Sequence, residues 1–207
     1  MLTIWGRANS LNVQKVLWTC AELDLPFQRI DAGGAFGGTD TAGYRVMNPS
    51  GMVPTLKDGD VVVWESNVIV RYLCATYSAG GLCPVEAPAR FGQEAWMDWQ
   101  TAGLWKDFRP LFIGLVRTPP PDRDAAALAR AEEATARGFA LLDEALRHRP
   151  FLGGAALGMA DIPAGVTAHR WFALPLDRRP RLPALEDWYA RLTERPGFRE
   201  HVMTPLS

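Results

Sequence analysis

The sequence predicts an α/β domain followed by an all-α domain, and three observations predict it. Short apolar runs alternate with helix-periodic segments through the first third of the chain. A Gly/Pro-rich stretch, "SAGGLCPVEAPAR", interrupts the pattern. Beyond it, apolar residues recur at helical spacing alone. These observations place a boundary near residues 79 to 87 and give domains at 1–79 and 87–207.

The elements follow in order. "LTIW" reads as a buried strand, and Val13, Val16, Leu17, Cys20 and Leu23 then mark an amphipathic helix. "PFQRID" reads as a second strand, and the intervening helix makes the pair parallel. "PTLKDGDVVVWE" is a hairpin whose turn is expected at Asp58-Gly59. Val68, Ile69, Tyr72, Leu73 and Thr76 mark the helix after it. In the second domain, Phe91, Ala95, Trp96, Trp99 and Ala102 mark a helix that Pro110 is expected to bend or end. Asp122 is the expected cap of the next helix, which buries Leu128, Thr135, Phe139, Leu142 and Leu146. Leu185, Trp188 and Leu192 mark a late helix.

Composition excludes several functions. With 207 residues, 48% of them hydrophobic, the chain can bury a full core. A net charge of -1 offers no footprint for nucleic acid or an anionic membrane. No apolar run approaches the ~20 residues of a membrane span, and "MLTIWGRANS" has no basic leader region, so the cytoplasm is the expected location. The cysteines Cys20, Cys74 and Cys83 form no CxxC pair and are expected to be reduced. His148, His169 and His201 are too scattered for a zinc site, so no metal is expected. "DAGGAFGG" lacks the Lys-Ser/Thr of a phosphate loop and is expected to be a mobile loop.

"NPSGMVPTLKDGDVVVWES" concentrates the remaining signal. Pro54 opens a strand, where a missing N–H costs the ladder least, and an acid and a serine close the hairpin. A β-α-β…β-β-α module with "NPSGMVPTL" and "ESNVIVRYL", followed by helices, resembles the cytosolic glutathione S-transferases over essentially the whole chain. "GRANSLNVQKVLW" and "IGLVRTPP" are similar to a bacterial subgroup that includes glutathione-dependent dehalogenases of small haloacids. The resemblance implies a thioredoxin-like β-α-β-α-β-β-α domain, a C-terminal helical bundle, glutathione as co-substrate and a homodimer. It also implies a cis bond before Pro54, with the main chain of Val53 turned toward the cysteinyl segment of glutathione. Glu65 and Ser66 then fall where the family binds the γ-glutamyl end, Ser66 adding a helix N-terminus.

A cysteine-like thiol, pKa about 8.5, is only ~3% ionised at pH 7, so the protein must hold and position the thiolate. Counting back from "ELDLPF" by the family's serine-class spacing implies Ser10 as the hydroxyl donor. Asn12 or Asn9 are alternatives, and "NSLN" is also a plain helix cap. In the family the electrophile lies against the first long helix of the second domain. There Trp105, Phe108, Arg109 and Arg117 share one segment, and a guanidinium in an aromatic cleft suits a carboxylate. Where the family usually carries a Ser/Thr-x-x-Asp capping box, this chain has Gly158 and Asp161, with Leu157 and Ile162 as a hydrophobic staple.

Three functions follow as expectations. The first is a glutathione transferase of detoxification, acting on small electrophiles, with dehalogenation of small acids as one version. The second is a glutathione-dependent disulfide or peroxide reductase, and the third a non-catalytic binding module of the same fold. Val62, Trp64 and Trp96 are candidate dimer contacts, and Asp98 a candidate for reaching a neighbouring subunit's glutathione.

Overall fold

The structure is a computed structural model that describes residues 1–78, 80–176 and 179–206. β1 (Leu2–Trp5) leads into α1 (Leu11–Glu22) and returns as β2 (Phe27–Ile30), parallel to β1. A 3₁₀ turn (Gly34–Phe36) and α2 (Ala42–Met47) precede the hairpin of β3 (Thr55–Asp58) and β4 (Val61–Trp64). Among the described residues the sheet order is β2-β1-β3-β4, with β3 antiparallel to both neighbours. With α3 (Ser66–Tyr77) this is the thioredoxin-like domain.

The hairpin differs from expectation by one residue. Asp58 pairs with Val61, so the loop is Gly59-Asp60, with positive φ at Gly59. Asp58 stays in the ladder because its carboxylate is held from α3, accepting from Tyr72 Oη at 2.9 Å and from the Tyr77 hydroxyl.

α1 is buried on every side from Val13 to Cys20. Val13, Val16, Leu17 and Cys20 pack on the sheet with Ile4, Leu56, Ile69 and Leu73. Its other face sends Leu11 and Trp18 into the core of the helical domain. One helix therefore serves two cores, and its polar residues Gln14 and Lys15 are buried with the rest.

The helical domain opens with α4 (Ala87–Trp99); the expected domain limits at residues 79 and 207 fall outside the described residues. α4 continues through a π turn (Gln100–Leu104), α5 (Trp105–Phe112) and a second π turn (Ile113–Arg117). Pro110 sits inside α5 without ending it. The face of α4 is also rotated from expectation: Gln93, Met97, Gln100 and Leu104 are buried, whereas Phe91, Ala95 and Ala102 are exposed.

After a 3₁₀ turn (Pro120–Asp122), α6 (Ala125–Leu146) is capped by Asp124 rather than Asp122. The Asp124 carboxylate accepts from Ala127 N at 2.9 Å, because Asp122 is still within the preceding turn. α7 (Asp161–Ala173), α8 (Pro183–Thr193) and α9 (Pro196–His201) complete the bundle. Phe139 stacks on Trp171 at 5.0 Å within its core.

Gly158 has a neighbour that explains it. A Cβ there would collide with the Gln93 side chain, whose Oε1 accepts from Ala160 N at 3.3 Å. A side chain from α4 thus takes the place of a cap hydroxyl at the start of α7. Asp161 Oδ1 accepts from Leu152 N and Trp188 Nε1, and Oδ2 from Gly153 N and Gly158 N, at 2.7–3.0 Å. Burial raises the Asp161 pKa and the four donors oppose the rise. Asp161→Asn would set an amide donor against two N–H donors, so urea denaturation should show a loss of about 2–5 kcal/mol. Unchanged stability would mean that these bonds contribute little.

Candidate active site

The first wall of the site is the run from β1 to α1. Gly6 N and Arg7 N donate to Ile30 O and Ala32 O at 2.9 and 3.1 Å, extending the β1–β2 ladder past the strands. The chain then turns, and Ser10 O accepts the first helical bond from Gln14 N at 2.9 Å. Ser10 is the N-cap by position, yet its hydroxyl makes no capping bond. Its side chain, 8% exposed, faces a cavity with Asn12 instead.

Residues 48–55 form the second wall, and the Val53-Pro54 bond is cis. Buried Asn48 braces this loop: its amide donates to Met52 O (2.9 Å) and Thr55 Oγ1 (3.0 Å), and its Oδ1 accepts from Ser50 N (3.0 Å) and Ser50 Oγ (2.6 Å). Tyr44 Oη donates to Met52 O at 2.6 Å. These contacts fix the main chain of Val53 beside the cavity. Neither Asn48 nor Tyr44 is legible as a brace in the sequence, since each acts through a loop closed by the fold.

Glu65 and Ser66 supply the third wall. Glu65 has φ +70° and ψ 115°, a region that costs a non-glycine residue roughly 1–3 kcal/mol and clusters at functional sites. Ser66 opens α3, and its Oγ donates to Asn12 Oδ1 at 3.2 Å. Asn12, Val53, Pro54, Glu65 and Ser66 together line a cavity of about 150 Å³.

A second cavity of about 230 Å³ shares Asn12, Met52 and Val53 with the first. Ser10, Trp105, Phe112 and four arginines, Arg7, Arg109, Arg117 and Arg170, line it, with no acidic side chain among the described lining residues. Phe108 does not reach it. That ring is fully buried against Phe112 and Trp171, and Phe112, one turn later, faces the cavity.

Trp105, Arg109, Ile113 and Arg117 recur every four residues along this wall. Such a row drifts round a helix of ~3.6 residues per turn, and the wider π turn at Ile113–Arg117 brings its end back to the same side. The spacing was readable, but without the π turn it does not predict one face.

Arg7 and Arg170 are the functional candidates that sequence reasoning missed. Arg170 lies on α7, 4% exposed, with Nη1 donating to Gln14 Oε1 (2.6 Å) and Nη2 to Asn9 O (3.0 Å); its Nε has no partner. The Arg117 and Arg170 guanidiniums lie 5.5 and 5.4 Å from the Phe112 ring centroid. Burial, then Arg117 and Arg7, lower the Arg170 pKa to about 10. Burial and Arg117 lower that of Arg7 as well. The cleft therefore concentrates positive charge at the mouth of Ser10.

A thioredoxin-like domain, a cis-proline loop and a strained acid before a helix serine point to one peptide-binding family, and comparison with known proteins decides it. Residues 9–76 match the family described as "Glutathione S-transferase, N-terminal domain", and residues 125–191 match "Glutathione S-transferase, C-terminal domain". The chain belongs to the glutathione S-transferase family. It is similar to glutathione S-transferase GstB of Escherichia coli, 46% identical over 211 residues and 100% of both chains. It is similar also to the theta class glutathione S-transferase of Xanthomonas axonopodis pv. citri, solved with glutathione bound. That match has TM-score 0.95 and 48% identity over 100% of this chain and 99% of the other. A more distant relative, the disulfide-bond oxidoreductase YfcG of Escherichia coli, is 25% identical over 193 residues, covering 88% of this chain and 85% of its own. The protein is thus an enzyme, a glutathione S-transferase with glutathione as its co-substrate.

Glu65→Gly separates strain from binding. It should raise stability to urea by up to about 1 kcal/mol by relieving the backbone, while glutathione affinity falls about 10-fold. A loss of stability would show that Glu65 holds the fold rather than the ligand.

Proposed function

We propose that this transferase joins glutathione to small anionic electrophiles, haloacids first among them. The observation that carries the reading is the second cavity, four guanidiniums around one opening with no carboxylate among its described lining residues. Its volume of about 230 Å³ is below the ~300–1,000 Å³ of pockets for drug-sized ligands and suits a small acid.

In this reading the Ser10 hydroxyl donates to the glutathione thiolate, with Asn12 beside it. Val53 pairs through its main chain with the cysteinyl segment, next to Pro54. Glu65 accepts from the γ-glutamyl ammonium, and Ser66 with the N-terminus of α3 receives the γ-glutamyl carboxylate. Arg109 and Arg117, with Arg7 and Arg170, hold the carboxylate of the acid while Trp105 closes the wall. The thiol proton leaves to solvent. The sulfur then attacks the halogen-bearing carbon, the C–S bond forms as the C–halogen bond breaks, and halide departs with the bonding pair. Placing thiolate and carbon together supplies much of the acceleration.

Similarity to a disulfide-bond oxidoreductase favours a second reading, glutathione-dependent reduction of small disulfides. The same thiolate would attack a disulfide sulfur, and a second glutathione would resolve the mixed disulfide.

A homodimer belongs to the proposal. Val61, Val62, Trp64, Val68 and Phe91 are large apolar residues left exposed on the edge strand β4, α3 and α4. Trp96 is turned away, against Trp99 and the helical core, and Asp98 is paired with Arg71. We place the enzyme in the cytoplasm, in a detoxifying role; Cys20, Cys74 and Cys83 are free thiols, and no helix among the described residues is long and apolar enough to cross a membrane.

Paired substrates test the reading. Arg109→Ala and Arg117→Ala should raise KM for iodoacetate about 10- to 100-fold and leave that for neutral iodoacetamide within about 3-fold, as loss of a charge-assisted contact requires. Equal effects on both substrates would count against carboxylate recognition.

A further inference from the structure

Lys15 is an ammonium-bearing side chain in the middle of α1, 2% exposed. Its Nζ donates to Asn67 Oδ1 (3.1 Å), Gln100 Oε1 (3.1 Å) and Ser66 Oγ (3.5 Å), so all three of its acceptors are neutral. Those acceptors are themselves anchored. Asn67 Nδ2 donates to Met97 O (2.7 Å) and Thr101 Oγ1 (3.0 Å), and Gln100 Nε2 donates to Thr167 Oγ1 (2.9 Å). The amine therefore lies directly behind Ser66 and Asn67, the first residues of α3, at a junction of α1, α3, the π turn after α4, and α7. A buried cation whose hydrogen-bond acceptors are all neutral is costly.

We infer that Lys15 is a positioning residue of the glutathione site, whose ammonium becomes the counter-charge of the γ-glutamyl carboxylate seated on Ser66, so that the peptide binds with uptake of a proton. The inference rests on the proposed role of Ser66. The charged groups acting on the amine are Glu65, at the head of α3, which favours the ammonium, and Arg170, from α7, which opposes it.

The direction with pH follows. Burial, the largest effect, lowers the Lys15 pKa to about 7, so in the free protein at pH 8 most of the amine is neutral. A carboxylate arriving at Ser66 stabilises the ammonium and raises that pKa again. Peptide affinity from this source is then strongest at low pH and weakens as pH rises through 7 to 9, the reverse of the thiol, whose ionisation favours high pH. The lysine and the thiol thus set opposite limbs of a pH profile.

S-methylglutathione, which has no thiol to ionise, isolates the lysine. Calorimetric titration into the full chain, in buffers of different ionisation heat, should show proton uptake of roughly 0.5 or more per site at pH 8. The Kd should rise about 10-fold from pH 6.5 to 8.5. Lys15→Met should bind more weakly at pH 6.5 and lose the uptake. Should that variant not fold, the native protein still answers, because the chain has only three lysines, Lys15, Lys57 and Lys106. With lysine labelled at the ε-carbon, the buried Lys15 signal should move toward the ammonium position when S-methylglutathione is added at pH 8, with exposed Lys57 and Lys106 as references. Binding without uptake, uptake that survives in Lys15→Met, or an unmoved Lys15 signal would overturn the inference while leaving the glutathione site intact. Failure of the native protein to bind S-methylglutathione at any pH would overturn the site itself, and the inference with it.

Discussion

Clustered positive charge is the constraint on which the rest of this structure depends. Arg7, Arg109, Arg117 and Arg170 face one cavity, and Lys15 lies buried behind the neighbouring one. Mutual repulsion shows in the guanidiniums: Arg117 lowers the pKa of both Arg7 and Arg170. Holding such a cluster together costs stability, and a fold keeps it where anions are to be bound. Glutathione brings a thiolate and carboxylates, and in the proposed reaction a small acid brings another carboxylate.

The scaffold meets this cost by burying α1 between two cores. The sheet side of the helix is apolar, and its far side carries Leu11 and Trp18 into the helical domain. That leaves Gln14 and Lys15 inside the protein, where Gln14 can hold Arg170 at 2.6 Å and Lys15 can hold the head of α3. The same arrangement ties the far end of the chain to the site, since Gln14 Nε2 donates to Thr204 Oγ1 at 2.9 Å. Strain at Glu65 is a second, local expense, set where the hairpin gives way to α3. Both features concentrate beside the two cavities, while Asp161, Gln93 and the aromatic core secure the bundle from which Arg109, Arg117 and Arg170 project.

Much of the fold was legible in the sequence because its signals are local. Strand and helix periods, the Asp-Gly-Asp turn and the proline-rich loop each act within a few residues, and they gave the mixed sheet and the helical domain. The errors came where a second partner overrode the local pattern. Asp58 stayed in its strand because two tyrosines on α3 hold it. Phe91, Ala95 and Ala102 read as a buried face, yet Gln93 and Gln100 are buried instead, because they bond Ala160 and Thr167 on the helical segment opposite. Phe108 looked like a cleft residue because it neighbours Arg109, but adjacent helical positions point to different sides. Arg7 and Arg170 lie 163 positions apart in number, and Lys15 is one cation in an apolar run; only the folded chain assembles them.

Ultraviolet absorbance of the thiolate of bound glutathione, followed against pH in the native protein and in Ser10→Ala, tests the electrostatic reading most directly. A free cysteine-like thiol titrates at about 8.5. The positive cleft and the Ser10 hydroxyl should bring the bound thiol below that value, with Ser10→Ala returning part of the shift and the guanidiniums retaining the rest. A bound thiol that titrates at or above the free value would contradict the claim that this cleft is organised around negative charge.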